Sequence, residues 1–305
     1  MERLKSCNLC GSKVFVPFCT KKGMTTKRDF HMVRCSCGLV FVNPRLTEKE
    51  NARLYDKAYF EGHGFDGSIN YVEESEEKAV ECLWLMRKVL LFKSKKARVL
   101  DVGCGTGSFV SVLEKNGFSD VTGIEFSPFA ADFAQKRCRR IILGDILSQQ
   151  FQEKFDVITA TEVIEHLRDP MLFFKKVASL LNLGGMFIYT TGNVGSPYAR
   201  MFGCNWPYLN PEGHLVYYSP RTLETYFTKC GLIPVQYASL SKEKRKKYLA
   251  AEDGLAYFLV NDVGRNSKGV KGFAFSFIGL LPKRLIARML TRFIGKCELP
   301  CGKKV

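Results

Sequence analysis

The sequence predicts an α/β protein: a mostly parallel, Rossmann-like sheet with helices on both faces, preceded by a small zinc-ribbon-like unit and followed by a basic helical extension. Three observations carry this. From Arg98 to Ala238 short apolar stretches alternate with amphipathic ones, the pattern of strands buried on both faces and joined by crossover helices. The stretch "RVLDVGCGTGSF" runs an apolar strand into glycines at 103, 105 and 107 and then into a helix start, a loop that lets backbone approach a ligand closely and turns helix amides toward it. Two cysteine pairs stand close to the start of the chain.

Composition sets the outer bounds. The 305 residues, 46% hydrophobic and 25% charged, suffice for one large core or one core with a satellite. No apolar run reaches the roughly 18 residues of a membrane span, and "MERLKSCNLC" lacks the apolar segment of a secretory signal. A cytoplasmic location is therefore expected. The net charge is +16, and the segment 239–305, with 15 basic and 5 acidic residues, holds +10 of it. That segment is the part able to meet an anionic partner, against the plainer reading of a solvated basic face. The 12 cysteines are spread through the chain, which favours reduced thiols or metal ligands over a disulfide framework.

Element by element, residues 1–46 form the first unit. "CNLCGS" brings Cys7 and Cys10, and "RCSCGLVFVNP" brings Cys35 and Cys37, two tight turns that each present two thiolates to one tetrahedral zinc ion. A closed four-thiolate site is structural, because it leaves no open position for chemistry. The second pair is C-x-C with a tighter bite than usual, so Cys19 or His31 is a substitute for one member. The competing reading is four cysteines without a metal.

Residues 47–96 read as a helical linker or lid. Thr47 with Glu50 three residues on is a helix-start signature, and a stripe through Val80, Leu83, Trp84 and Met86 marks a helix that docks on the next domain. Residues 97–240 carry the alternating pattern: strands at "ARVLDVG", "DVTGIEFS", "RIILGD", "FDVITA", "GGMFIYTT" and "LIPVQYASL", with helices between them. Ser127-Pro128, Asp169-Pro170 and Ser219-Pro220 each pair a cap residue with a proline at the first helical position. Residues 241–305 form the basic extension. "CELPCGKKV" is a poor seventh strand and "GLAYFLVN" its rival, while "KRLIARMLTRF" groups Leu285, Ile286, Met289, Leu290 and Phe293 on one face, as a membrane-surface helix or an ordinary packed one.

The glycine loop departs from a dinucleotide fingerprint, because position 108 is Ser and the third glycine comes one place early. Its company decides. Glu125 ends the second strand, where a carboxylate can take both hydroxyls of a ribose, and Asp145 ends the third, near where an adenine amine would lie.

Taken together, "VLDVGCGTGSF", "GIEFSP", "GDI", "FDVITATEVIEHLRDP" and "LLNLGGMFIYTT" resemble the class I S-adenosylmethionine-dependent methyltransferases. With the paired cysteines and "SPYARMFGCNWPYLNPEGHLVYYSPRTLETYFTKCG", the chain is similar over about residues 7–238 to the branch with an N-terminal zinc-binding segment, which acts mostly on sugar-like or other small biosynthetic acceptors. The resemblance implies that Asp101, Gly103 and Gly105 line the methionine part of the cofactor. It implies further that Glu125 holds the ribose, Asp145 and Ile146 the adenine, and that Glu162 faces the sulfonium and the acceptor.

Methyl transfer asks for alignment and, for a hydroxyl or acidic C–H, removal of a proton. Of four histidines, His166 and His214 fall on loops at the carboxyl ends of strands, and either qualifies as general base. His214 is favoured, with Tyr217 and Tyr218 adding hydroxyls and Trp206 and Tyr208 an aromatic wall. The expected partner is a small-molecule acceptor, with peripheral contact to an anionic surface through the extension. Two rival classes are an RNA-modifying methyltransferase and a non-catalytic scaffold. The first lacks the N/D-P-P-Y/F signature after the fourth strand; the second sits poorly with an intact glycine loop and Glu125.

Overall fold

The computed structural model describes residues 1–64, 70–73, 76–238 and 254–261. The chain opens with β1 (Phe15–Lys22), β2 (Asp29–Cys35) and β3 (Val40–Val42), antiparallel in that order. Three helices follow, α1 (Glu48–Ala52), α2 (Lys57–Phe60) and α3 (Glu76–Leu90). Thr47 and Glu50 form the expected reciprocal cap on α1: the Thr47 hydroxyl accepts from the Glu50 amide, and the Glu50 carboxylate accepts from that of Thr47. The stripe on α3 differs from expectation. Cys82, Leu85, Met86 and Val89 are buried while Val80 is 57% exposed, because the i, i+3, i+4, i+7 spacing of that set lines one helix face and 80, 83, 84, 86 does not.

Strands and helices then alternate: β4 (Arg98–Val102), α4 (Ser108–Lys115), β5 (Asp120–Glu125), α5 (Pro128–Gln135), β6 (Ile141–Leu143), β7 (Phe155–Thr161), α6 (Pro170–Leu180), β8 (Leu181–Gly192), α7 (Pro197–Phe202), β9 (Val216–Tyr217), α8 (Pro220–Cys230), β10 (Leu232–Ala238) and β11 (Gly254–Asn261). Asp169 caps α6 through the Leu172 amide, and Ser219 and Thr222 box the start of α8. Ser127 does not cap α5 with its side chain; its hydroxyl donates instead to the Tyr55 carbonyl at 3.0 Å, which ties the 47–96 segment to the helix.

The main sheet has the order β10-β11-β8-β7-β4-β5-β6. Strands β8, β7, β4, β5 and β6 are parallel, and β11 enters antiparallel between β8 and β10. "GLAYFLVN" is therefore the seventh strand. The rival "CELPCGKKV" and the basic helix expected at 283–293 lie outside the described residues.

Neighbouring side chains along each central strand serve opposite faces. Leu100, Ile158 and Phe187 pack with Phe173, Phe174, Tyr226 and Phe227 of α6 and α8, while Val99, Val157 and Ile188 pack with Val110 and Leu113 of α4 and with α3. Burying one such side chain contributes about 1.5–3 kcal/mol. Double coverage explains the near-continuous apolar strands. The chain runs from β4 outward to β5 and β6, then crosses back to β7 on the other side of β4. The carboxyl ends of β4 and β7 thus flank the switch point where ligands bind in sheets of this kind.

The second sheet joins the N-terminal strands to a short strand between α7 and α8, in the order β1-β2-β3-β9. Phe41 faces Val216 and Val40 faces Tyr217, so the N-terminal unit borrows a strand from the segment just before α8. Among the described residues, no helix is long and apolar enough to cross a membrane.

Candidate active site

At the switch point, β4 delivers Asp101, buried at 4% exposure, whose Oδ1 accepts from the Thr159 hydroxyl at 2.6 Å. Burial, with the nearby Glu125 carboxylate, raises the Asp101 pKa to about 7. The loop then turns through Gly103 at φ +65°. A Cβ there would lie 2.6 Å from Val163 Cγ2, so only glycine lets the loop close against the segment after β7. Gly107, at φ +79°, would carry its Cβ 2.8 Å from Cys138 Sγ. The third glycine therefore provides close packing against the α5 region, the task that falls one place later in a dinucleotide fingerprint.

Glu125 closes the loop from the side. Its carboxylate accepts from the Gly105 amide and the Ser127 amide, each at 2.8 Å, which joins the loop to the start of α5. Burial pushes its pKa up while the two amides hold it down. Each oxygen keeps a second lone pair for a ligand hydroxyl. Beyond β6, Asp145 is exposed and accepts from the Leu147 amide at 3.1 Å, with Ile146 buried behind it. The loop is also strapped from the N-terminal side, because the Thr106 hydroxyl and the Lys78 ammonium both donate to the Tyr71 carbonyl at 2.8 Å.

The other wall grows from the end of β7. Glu162 takes a left-handed conformation, φ +52°, a costly state for a non-glycine residue that tends to occur at functional sites. Its amide donates to the Thr190 hydroxyl at 3.1 Å. The turn Ile164–His166 follows and sets Glu165 inside at 0% exposure. The Thr191 hydroxyl donates to Glu165 Oε2 at 3.0 Å, and the Tyr208 hydroxyl contacts both Glu165 Oε1 and Glu162 Oε2. A phenol has one proton for two carboxylates. Glu162 is open to the cleft, and the protein packed around it together with the Glu165 charge raises its pKa.

The two histidines meet here, with ring centroids 4.8 Å apart. His214 Nδ1 lies 2.9 Å from the Tyr208 carbonyl and His166 Nδ1 3.0 Å from that of Gly213. A carbonyl only accepts, so His214 Nδ1 carries the proton and its Nε2 is the basic nitrogen. Burial and the neighbouring His166 push the His214 pKa well below its ordinary value, so the imidazole is neutral. Tyr55 brings its hydroxyl within 2.9 Å of His166 Nδ1, which places the 47–96 segment against this wall as well as against the glycine loop.

Two expectations are corrected. Tyr218 does not add its hydroxyl to the site: it is buried and donates to the Ile164 carbonyl at 2.8 Å, while Tyr217, also buried, sets its ring against His214, centroids 6.3 Å apart. Trp206 is 2% exposed and stacks on Tyr208 at 5.3 Å, backing the site. The sequence pattern assigns Glu165 no role; its signal is the second carboxylate in "EVIEH", three residues after Glu162.

The cysteine cluster lies apart from this cleft. Sγ of Cys7 is 3.7 Å from that of Cys37, Cys10 is 3.5 Å from Cys35, and all four sulfurs fall within 4.8 Å of one another. A tetrahedral ion with Zn–S bonds of about 2.3 Å sets its sulfurs about 3.8 Å apart, so the donor set fits. Neither substitute belongs to it. His31 pairs with the Thr20 hydroxyl, and Cys19 forms a disulfide with Cys204. Reduced thiols or metal ligands are expected over a disulfide framework, and this one bond is an addition to that picture: β1 packs beside the turn Gly203–Asn205, which brings together cysteines 185 residues apart.

The N-terminal sheet braces the loop that carries Tyr208 and His214. Lys21 Nζ donates to the Leu209 carbonyl at 2.6 Å, and the fully buried Glu212 accepts from the Thr25 amide at 2.7 Å and from the Thr26 amide. Glu212→Ala is expected to cost about 1–3 kcal/mol, read as a drop of roughly 3–8 °C in melting temperature. An unchanged melting temperature would show that the brace carries no stability.

Residues 76–237 match the family model described as a methyltransferase domain. The ubiquinone biosynthesis O-methyltransferase of Coxiella burnetii (strain RSA 493 / Nine Mile phase I) is 36% identical over 107 residues, 32% of this chain and 45% of that protein. N-methyltransferase 4 of Papaver somniferum is 28% identical over 141 residues, 41% of this chain and 40% of its own length. The chain thus spans less than half the length of these curated relatives. Among solved structures, magnesium protoporphyrin IX methyltransferase from Synechocystis PCC 6803 is similar with a TM-score of 0.49 at 14% identity, over 70% of this chain and 93% of that one.

Proposed function

The chain belongs to the methyltransferase-domain family, and from that premise we propose that it transfers the methyl group of S-adenosylmethionine to a hydroxyl of a small, sugar-like biosynthetic acceptor. The observation that carries this reading is the meeting of two walls at one switch point: the glycine loop with Asp101 and Glu125 on one side, and Glu162, Glu165, His166, Tyr208 and His214 on the other. The bound cofactor would supply a methyl group already activated by its positive sulfur.

The rest falls to the chain. The Glu125 oxygens accept the ribose hydroxyls with their remaining lone pairs, and Asp145 and Ile146 take the adenine edge. Gly103 and Gly105 would give the methionine part a close backbone, and Asp101 would take its ammonium. The second wall would hold the acceptor hydroxyl and draw off its proton, which frees an oxygen lone pair for the methyl group the bound cofactor would supply. The curated relatives include one named for O-methyl transfer in ubiquinone biosynthesis, which supports oxygen as the acceptor atom. Calorimetry with S-adenosylmethionine tests the cofactor half: one molecule bound per chain is expected, and no binding would leave the scaffold reading in its place.

The four thiolates are assigned to one structural zinc ion. Asn8 Nδ2 donates to the Arg168 carbonyl and Lys229 Nζ to that of Leu9, so the cysteine loop is docked beside the His166 turn and zinc stiffens that wall. Elemental analysis is expected to find one zinc per chain. Cys10→Ser, at an exposed ligand, is expected to abolish it and to lower the melting temperature by roughly 5–10 °C; an equally stable variant would argue against the ion.

A further inference from the structure

The acceptor wall holds a buried carboxyl beside two imidazoles. Glu165 is at 0% exposure, and among the described residues no lysine or arginine pairs with it; its partners are the hydroxyls of Thr191 and Tyr208 and, at 4.0 Å, His166 Nε2. A buried carboxyl is kept neutral by a raised pKa, paired with a cation or used to coordinate one, and burial does raise the Glu165 pKa. One ligand atom from each of Glu165, His166 and His214 lies within 4.8 Å of the others. The Tyr208 carbonyl fixes His214 in the tautomer with a basic Nε2, and the Gly213 carbonyl and the Tyr55 hydroxyl hold the Nδ1 side of His166, the outer-sphere arrangement that orients metal-ligating histidines. Glu162, joined to Glu165 through Tyr208 and open to the cleft, marks the side from which an ion and an acceptor enter.

We propose that Glu165, His166 and His214 form a second metal site, for a divalent cation of the Mn²⁺ or Zn²⁺ type, distinct from the four-cysteine cluster. One carboxylate with two imidazoles is a mixed oxygen–nitrogen set for such ions, and three protein ligands leave positions open for an acceptor. This rests on the methyl-transfer reading for its purpose: a hydroxyl oxygen that gives a lone pair to the cation has its O–H bond weakened, and the proton leaves to water. With Mn²⁺, a hard cation that recruits oxygen ligands, it narrows the acceptor to one that presents oxygen.

The test is direct uptake of Mn²⁺ by the full chain, titrated and followed by electron paramagnetic resonance; Mn²⁺ is a poor match for the thiolate cluster. One Mn²⁺ per chain is expected, with hyperfine coupling to imidazole nitrogen, and binding more than about tenfold weaker in His214→Ala and in His166→Ala. Glu165→Gln should weaken it as much, with its melting temperature recorded because that side chain is buried; the histidine variants decide the matter if it fails to fold. No stoichiometric uptake by the wild-type chain, or uptake unchanged in both histidine variants, overturns the site. The two readings fail separately: methyl transfer by a chain that takes up no Mn²⁺ removes the cation alone, whereas Mn²⁺ held by a chain that transfers no methyl group upholds the site and removes only the purpose given to it.

Discussion

His214→Ala is expected to bind S-adenosylmethionine as the wild type does and to lose turnover by about 10² to 10⁴-fold. The side chain stands on the acceptor wall, with Nδ1 committed to the Tyr208 carbonyl and the ring beside His166 and Glu165. These partners all belong to the acceptor wall rather than to the glycine loop, Glu125 or Asp145, so the cofactor half stays intact. The loss has the same direction whether Nε2 takes the acceptor proton or holds a cation that loosens it. Calorimetry for cofactor affinity and a turnover assay for S-adenosylhomocysteine separate the halves. Unchanged turnover would remove His214 from the mechanism, and a parallel loss of cofactor affinity would mean that the loop carrying it had collapsed.

Glu125→Ala should do the opposite, weakening S-adenosylmethionine by roughly 100-fold while sparing the acceptor wall. The carboxylate is 8% exposed and joins the Gly105 and Ser127 amides. Its removal breaks two charge-assisted hydrogen bonds that shape the loop, at about 1.5–3 kcal/mol each, and takes away the ribose-binding oxygens. One hydrogen bond of that strength is already worth about 10- to 100-fold in affinity. Glu125→Gln keeps one acceptor oxygen and should fall between. Wild-type affinity in the alanine variant would separate Glu125 from cofactor binding.

The central sheet was readable because its strands are covered twice, and apolar runs such as "RVLDV" and "FDVITAT" leave little else for the backbone to do. Helix starts were readable where a side chain really caps, as at Thr47, Asp169 and Ser219. Ser127 shows the limit, since the same Ser-Pro signal spends its hydroxyl on Tyr55. What escaped was long-range. β9 is two residues with no period to read, yet it places Tyr217 and Tyr218 inside and joins the N-terminal sheet to the acceptor loop. The Cys19–Cys204 bond spans 185 residues with no local mark. Glu165 looked like an ordinary residue before a helix, and only the left-handed turn at Glu162 reveals that it points inward.

One measurement bears on the whole account: incubate the chain with methyl-labelled S-adenosylmethionine and a cell extract separated into small-molecule, RNA and protein fractions, and follow the label. The account predicts label in a hydroxyl-bearing small-molecule product, absent when His214→Ala replaces the wild type. Label confined to RNA or protein, or no label in any fraction despite bound cofactor, would contradict it.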